Sequence, residues 1–385
     1  MRLVLRATIV LAVTIGLYVA ADLAVGPFTA PVTTDATRVP AFHGQPYISP
    51  DFLAEAAREP GEWHKIDWTS LLAPSDYHGR YFNVDRLGPT NNLYRRTINP
   101  PVTKPKVTVL LLGPSTVYGP FVPDNLTLAS LLSARLNERD PAHSYVIYNA
   151  GVFAADSTQE RDRLAYELDR GLKPDIVISF SGGIDILDGV YKARPGAAGL
   201  FLVAHSGLRG VLPLNIYHWL MARAWAAEAS RAKQAPPYLL TPARVADLTV
   251  STATVWYDNE LAMSALSKAG GARFISILQP TPYSSAFDHP THDIAYVHDL
   301  TDSGTFGLGA IAGSVQQALA AESAALRQKG VEAIDLSSGF CHKTEDVFVD
   351  FGHLNAAGHR ILAVEIAEMV LNPATASMLQ ADLGP

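Results

Sequence analysis

The sequence predicts an α/β fold: a three-layer, doubly wound sheet of five parallel strands. Short, continuous apolar runs, typical of strands buried on both faces, alternate along the chain with segments of helical periodicity. The runs are Val107–Leu112, Tyr145–Tyr148, Asp175–Phe180, Arg273–Leu278 and Val331–Ile334. Strands that alternate with helices form parallel sheets, and the functional sites of such sheets lie at the carboxyl ends of the strands.

Helical periodicity is clearest in two segments. The first begins after the polar pair Asp124-Asn125, and the second follows Asn355, which is a good N-cap. Each segment places its apolar side chains on one face. These side chains are Leu128, Leu131, Leu132 and Leu136 in the first segment and Leu362, Ile366, Met369 and Val370 in the second.

Composition and charge exclude several classes of protein. The 385 residues are 48% hydrophobic and 17% charged, which is enough apolar material for a large core. The net charge is −7 and there is no dense run of Lys and Arg, so nucleic acid is not an expected partner. The single cysteine, Cys341, excludes an intramolecular disulfide and a cysteine-based zinc site.

The N-terminal residues 1–28 predict a transmembrane anchor. Arg2 and Arg6 precede an apolar stretch from Ala7 to Phe28, which is long enough for a helix to cross a bilayer. The two arginines would stay on the cytoplasmic side, so the rest of the chain would lie in the periplasm. A cleaved signal peptide ending near Ala21, and hence a secreted protein, is one alternative. A core helix of a cytosolic protein is the other.

The remaining chain divides into two parts. Residues 29–105 are predicted to be a linker rich in Pro, Thr and Ala, followed by a membrane-proximal strap packed against the main domain. Residues 106–385 form that domain, with a long insertion at 188–249. Within the insertion, residues 214–229 are predicted to be helical, serving as a lid, as a membrane-facing helix or as a helix packed on the domain.

A candidate nucleophile follows the first parallel strand, in the segment Gly113-Pro114-Ser115-Thr116-Val117-Tyr118-Gly119. Glycines on both sides allow the backbone to turn sharply and present the Ser115 hydroxyl at the edge of the sheet. The alternative is a turn serine with a purely structural role. The sequence has no G-x-S-x-G elbow, P-loop or H-E-x-x-H motif.

A serine nucleophile needs a base, and the base needs an orienting carboxylate. Asp350 and His353 lie three residues apart in the loop before the last predicted helix. One tight turn can place both side chains on the same side, with the second ring nitrogen of His353 facing Ser115. The alternative makes His353 a capping residue and Asp350 an ordinary turn former. His359, further along that helix, is expected at the surface.

Together these segments resemble the SGNH/GDSL hydrolase family, whose short sequence blocks occur in this order on a flavodoxin-like sheet. Residues 113–119 look like the first block, and Asp350-x-x-His353 looks like the last. Asn149-Ala150-Gly151 resembles the second block. The resemblance covers roughly residues 75–372. It implies a catalytic triad of Ser115, His353 and Asp350, with the backbone N–H groups of Ser115 and Gly151 as the oxyanion hole.

The third block departs from the family pattern. Its asparagine, which donates to the oxyanion, is replaced by Ile184, which cannot donate. Loss of one such donor typically slows catalysis by on the order of 10²–10³. The Ser115 and Gly151 amides would remain and would support a weakened activity. The alternatives are that another side chain fills the role or that the chain is a non-catalytic member of the family. Asn149 and Gln279 are candidates for that role. Together with Asp185 of the third block, they are the candidate substrate-binding residues.

The resemblance implies a serine esterase that acts through an acyl-enzyme and needs no metal ion or organic cofactor. The expected substrate is an acylated small molecule or glycan, in particular O-acyl groups on a carbohydrate or envelope glycan. Two alternatives share the same residues: a periplasmic polysaccharide O-acyltransferase and a catalytically inactive binding or assembly protein. His289, His292 and His298 lie amid loop formers without recognised ligand spacing and predict a solvated loop.

Overall fold

The computed structural model describes residues 36–58, 63–65, 72–74, 76–187, 241–284, 291–300 and 309–372. The predicted anchor at 1–28 lies outside the described residues. Residues 188–240 of the predicted insertion, which include the expected helix at 214–229, also lie outside them. In the ranges given above, no helix combines the length and the apolar character needed to cross a membrane.

Strands and helices alternate through most of the described chain. The strands are β1 Trp63–Lys65, β2 Leu72–Pro74, β3 Tyr77–His78, β4 Asn83–Leu87, β5 Asn92–Arg95, β6 Lys106–Leu112, β7 Ser144–Asn149, β8 Ile176–Ser181, β9 Arg273–Leu278 and β10 Glu332–Asp335. The helices are α1 Pro50–Arg58, α2 Ser115–Tyr118, α3 Leu128–Arg139, α4 Ser157–Asp169, α5 Pro242–Ala269, α6 His292–Leu300, α7 Gly309–Gln328 and α8 Ala356–Leu371.

The main sheet has eight strands in the order β10-β9-β8-β6-β7-β5-β4-β3. The five strands from β10 to β7 are parallel, and each of them lies within one residue of its predicted position. Strand β8 is buried at every position, as its unbroken apolar run predicts.

The predicted size of the sheet is wrong, because three antiparallel strands extend it beyond β7. Arg95 of β5 pairs with Asn149 of β7, and β4 and β3 follow as antiparallel neighbours. As the outer strand of a purely parallel sheet, β7 would expose a row of unpaired backbone groups, and β5 begins to cover that edge. The part of the predicted strap between Tyr77 and Arg95 therefore belongs to the main sheet.

A buried arginine holds this extension against the carboxyl edge of the sheet. The Arg95 guanidinium is fully buried between the rings of Phe82 and Tyr118, 4.5 and 5.4 Å from their centroids. It pairs with Asp124, whose carboxylate also accepts hydrogen bonds from the Asn83 backbone and side chain. Tyr118 belongs to α2, so the ion pair fixes the extension next to the turn that carries Ser115.

The predicted N-cap of the last helix is confirmed. The Asn355 side-chain oxygen accepts from the backbone N–H groups of Ala357 and Gly358, at 2.9 and 3.0 Å. Its amide group donates to the Ala41 carbonyl at 2.7 Å and, in the loop before α8, to the Asp346 carbonyl at 2.8 Å. The cap therefore fixes both the start of α8 and the loop that precedes it.

A group of buried acidic side chains lies between β8 and helices α4 and α5. The Ser179 hydroxyl is 3.0 Å from Glu160 Oε2 and 2.8 Å from Glu260 Oε1. A hydroxyl has one proton to donate, so at least one of the two carboxyl groups must be protonated if both contacts are hydrogen bonds. Burial raises the pKa of Glu260 to about 7, and burial together with the charge of Glu260 raises the pKa of Glu160.

We expect Glu260→Gln to change how the free energy of unfolding depends on pH. A carboxyl group with a raised pKa in the folded chain stabilises the fold fully only at acid pH. That contribution is lost as the pH rises from 4.5 toward about 7. Because glutamine has no proton to lose, the variant should gain stability relative to the wild type over this range, by up to about 3 kcal/mol.

Urea unfolding at about pH 5 and about pH 8 measures this difference in the free energy of unfolding. Glu138→Gln, at an exposed glutamate on α3, is the matched control. Its difference from the wild type in the free energy of unfolding should be the same at both pH values. An equal effect of Glu260→Gln at both pH values would show that the folded chain holds no proton at this position.

Candidate active site

The turn after β6 brings Ser115 to the edge of the sheet. A Cβ atom on Gly113 would lie 2.7 Å from the Phe180 carbonyl oxygen, so only glycine allows β6 and β8 to approach this closely. The Pro114 carbonyl accepts from the N–H groups of Val117 and Tyr118 and closes the first turn of α2. Ser115, the first residue of α2, is 5% exposed.

The structure brings Ser115, His353 and Asp350 together in a continuous chain of contacts. Ser115 Oγ is 2.7 Å from His353 Nε2. On the other side of the ring, Nδ1 is 2.7 Å from Asp350 Oδ2 and 2.9 Å from Oδ1. These distances are those that a nucleophile, its base and an orienting carboxylate require.

A tight loop fixes Asp350 and His353. The Val349 N–H donates to the His353 carbonyl, and the N–H groups of Gly352 and His353 donate to Asp350 Oδ1, each at 2.9 Å. Burial alone would raise the pKa of Asp350, but the charge and hydrogen bond of His353 and the two amides outweigh it and hold that pKa below its ordinary value. The carboxylate is therefore ionised and can fix the orientation of the imidazole ring.

One hydrogen bond joins the two loops directly. The Thr116 hydroxyl donates to the Gly352 carbonyl at 2.6 Å. Thr116 follows Ser115 and Gly352 precedes His353, so this contact couples the position of Ser115 to that of His353.

The predicted oxyanion residue Gly151 lies against the nucleophile turn. A Cβ atom there would be 2.4 Å from the Tyr118 nitrogen, which explains the glycine. Its N–H, however, donates to Asn149 Oδ1 at 3.0 Å, while Asn149 Nδ2 donates to the Val117 carbonyl at 2.9 Å. Through these two hydrogen bonds, the candidate substrate-binding residue Asn149 connects the loop that contains Gly151 to α2. Among the described residues, the Ser115 N–H has no acceptor.

The other two candidate substrate-binding residues contact different parts of the edge. Asp185 is buried, and its Oδ1 accepts from the Ser157 hydroxyl at 2.6 Å, at the start of α4. Burial raises the pKa of Asp185 to about 6. Gln279 is buried beside Gly183, where a Cβ atom would lie 2.0 Å from its Nε2. No described hydrogen bond joins Asp185 or Gln279 to Ser115, and Ile184 is half-buried in a short helical stretch.

The prediction of a surface position for His359 is wrong. The side chain is 1% exposed, because α8 turns this face toward Gly119 and the core. Burial, with a smaller effect of His353, lowers its pKa to about 3, so this ring stays neutral. His359 therefore adds no charge beneath the base.

Three aromatic residues that the sequence analysis missed surround His353. The Phe121 ring packs edge-on at 5.1 Å between centroids, and those of Phe153 and Phe351 are tilted at 6.2 and 6.4 Å. Phe153 follows Gly151 by two residues, and Phe351 lies between the two triad residues of its loop. Their positions next to the motif residues are the sequence feature that could have identified them.

Two of the loop histidines belong to a helix, contrary to the prediction. His292 and His298 lie on α6, where His298 stacks on Tyr283 with 5.5 Å between ring centroids. His289 lies outside the described residues. Within the part of the chain that the structure describes, no three His, Cys, Asp or Glu side chains are grouped so as to hold a metal ion.

No protein-family model and no curated protein matches this chain. Solved structures do. A lipolytic GDSL-family protein from Veillonella parvula is 12% identical with a TM-score of 0.39, and the match covers 69% of this chain and 98% of that one. The acetyl xylan esterase AlAXEase is 13% identical with a TM-score of 0.37, covering 69% and 100%. An acetyl-xylooligosaccharide esterase from Geobacillus is 11% identical with a TM-score of 0.39, covering 69% and 94%.

The chemistry assigned to the site rests on the distances among Ser115, His353 and Asp350.

We expect Thr116→Val to slow the reaction of Ser115 with a fluorophosphonate probe by about fivefold, since a neutral hydrogen bond that positions the base is worth about 1 kcal/mol. The rate of labelling is measured by stopping the reaction at successive times and determining the fraction of labelled protein. Thr108→Val is the matched control, because Thr108 is buried to a similar degree, at 5% against 4%, but lies near the start of β6. Equal rates in the two variants would show that the Thr116 contact does not position the triad.

Proposed function

We propose that the protein is a serine ester hydrolase of the SGNH/GDSL type. The observation that supports this is the uninterrupted contact from Ser115 Oγ through the His353 ring to Asp350, with 2.7 Å at each junction. In this proposal Ser115 is the nucleophile, His353 the general base and acid, and Asp350 the orienting carboxylate.

The reaction proceeds in two halves. His353 Nε2 removes the Ser115 proton as Oγ attacks the ester carbonyl, and the resulting tetrahedral intermediate collapses to an acyl-enzyme. The protonated His353 gives that proton to the departing alcohol. A water molecule then attacks the acyl-enzyme, again with His353 as base, and releases the carboxylic acid and free Ser115. No step needs a metal ion or cofactor.

The site offers few hydrogen-bond donors to stabilise the oxyanion. The Ser115 N–H is available to a substrate oxygen, whereas the Gly151 N–H must be shared with Asn149 Oδ1 or released from it. Ile184 supplies no donor of its own. Because each donor typically contributes on the order of 10²–10³ in rate, we expect turnover to be modest.

We propose O-acyl groups on a carbohydrate or envelope glycan as the substrate, which rests on the predicted export of the domain beyond residue 28. A sugar hydroxyl in place of water would make the same residues an O-acyltransferase. Ile184 and the engaged Gly151 amide favour one competing function, a binding or assembly protein that has lost its chemistry.

Covalent labelling of the full-length protein in detergent with a fluorophosphonate tests the proposal. We expect the wild type to be labelled, and Ser115→Ala and His353→Ala to lose the label, since both the nucleophile and its base are required. Ser251→Ala, on α5 and bonded to the Leu248 carbonyl, is the control and should be labelled like the wild type. Folded wild-type protein that takes no label would support the binding function instead.

We expect Asp350→Asn to lower the rate of ester hydrolysis by about 10⁴, because an amide cannot stabilise the imidazolium or hold the ring in the required tautomer. Turnover of p-nitrophenyl acetate at saturating substrate measures this. A fall of less than tenfold would show that Asp350 is only a turn residue, as its hydrogen bonds to two backbone amides would also allow.

A further inference from the structure

A buried apolar cluster joins the beginning of the described chain to the loop before α8, which contains the proposed base. We call residues 36–47 the N-terminal arm. Within the arm, Val39, Ala41 and Phe42 are buried, and they form this cluster with Val349 of the loop. Removing these side chains from water stabilises the arm in its position against the loop.

Two hydrogen bonds connect the arm to the start of α8. The Asn355 amide donates to the Ala41 carbonyl at 2.7 Å, and the Ala356 N–H donates to the Tyr47 hydroxyl at 3.2 Å. Asn355 is fully buried, so a displaced arm would leave an N–H of its amide without this acceptor, which is costly. The arm is therefore fixed to the chain within three residues of His353.

Phe42 of the arm is linked to the imidazole of the proposed base through one intervening ring. The ring centroids of Phe42 and Phe121 are 5.8 Å apart. Those of Phe121 and His353 are 5.1 Å apart, and the two rings pack edge to face. Without the Phe42 ring there would be space beside Phe121, into which Phe121 and the imidazole could shift.

Such a shift matters because the proposed proton transfer needs a short contact. His353 Nε2 is 2.7 Å from Ser115 Oγ, and a displacement of about 1 Å at a reacting group can slow catalysis by about 100-fold. Phe153 and Phe351 also pack against the imidazole, but their ring centroids lie farther from it than that of Phe121. The packing of Phe121 is thus the closest of these three restraints on the ring.

We infer that the N-terminal arm positions the proposed base, with Phe42 as its principal positioning residue. The inference rests on the proposed ester hydrolysis and adds to it a means of regulating the same site. In the sequence, residues 29–35 alone separate the arm from the predicted membrane anchor. Displacement of the arm would lower the rate of catalysis by releasing the imidazole from its position.

The experiment compares the hydrolysis of p-nitrophenyl acetate by the full-length wild type and by Phe42→Ala. To exclude unfolded protein, kcat is expressed per site that a fluorophosphonate labels at completion. We expect Phe42→Ala to lower this kcat by at least about tenfold, because the base loses its position. KM should change by less than about twofold, since the arm acts on the base and not on substrate binding.

The conservative variant Phe42→Leu should restore most of the activity, because leucine keeps much of the apolar contact with Phe121. Phe274→Ala is the matched control and should keep the wild-type kcat per labelled site. Phe274 is buried like Phe42, but it lies near the start of β9, at the opposite end of that strand from the site.

If Phe42→Ala does not fold, Tyr47→Phe replaces it. This variant removes only the hydroxyl that accepts from Ala356, and it should lower kcat by at least about twofold. Its control is Tyr145→Phe, which removes a hydroxyl that donates to Asp140, near the start of β7. The control should keep the wild-type kcat.

The failure of the proposed function and the failure of this inference give different results. A folded wild type that takes no label and shows no turnover contradicts the proposed function. A labelled, active wild type whose kcat per site falls no further in the arm variant than in its control overturns the role of the arm. A rise in KM with kcat unchanged overturns it as well.

Discussion

The hydrogen bond from the Thr116 hydroxyl to the Gly352 carbonyl is the contact on which the geometry of the site depends. It joins two loops that reach the edge of the sheet by independent routes. One is fixed by the close approach of Gly113 to Phe180, and the other by the Asn355 cap at the start of α8. Neither restraint sets the distance between the loops. The Thr116 contact spans that distance beside the contact between Ser115 and His353, and it lies one residue from each of these two side chains.

Two kinds of buried polar interaction lie next to the strands at this edge of the sheet. The Arg95–Asp124 pair brings the antiparallel extension next to α2, whereas the acidic side chains around Ser179 hold α4 and α5 against β8. Buried charged groups are costly unless they are paired or protonated. Asp124 is paired with the Arg95 guanidinium, whereas burial favours the protonated forms of Glu160 and Glu260.

The parallel part of the fold could be predicted because it leaves a local trace in the sequence. Strands buried on both faces, such as β8, give unbroken apolar runs, and the five such runs match the structure within one residue. Strands β3–β5 leave no comparable trace, since they are short and lie among turn formers. Their place in the sheet is set by the pairing of Arg95 with Asn149, which depends on the packing of distant segments.

The site also has features that could be predicted from the sequence and features that could not. The residues of the proposed triad lie in recognisable motifs next to strand and helix ends, and their side chains are in contact in the structure. The donation of the Gly151 amide to Asn149, the burial of His359 and the packing of three phenylalanine rings around His353 depend on which loops meet in three dimensions. Asp185 shows why a motif alone does not predict the contacts of a side chain. It was a candidate substrate-binding residue because it lies in the third block, and in the structure its carboxylate accepts a hydrogen bond from Ser157 at the start of a helix.

The separation of the nucleophile and base along the chain has a consequence for biosynthesis. Ser115 precedes His353 by 238 residues. At about 5–20 residues per second, a ribosome makes the serine roughly 10–50 s before the imidazole that would activate it. A nascent chain during that interval carries an unactivated hydroxyl and cannot attack the esters around it. If the domain is exported while unfolded, the proposed triad first forms after translocation, so the cytoplasm never contains the working enzyme.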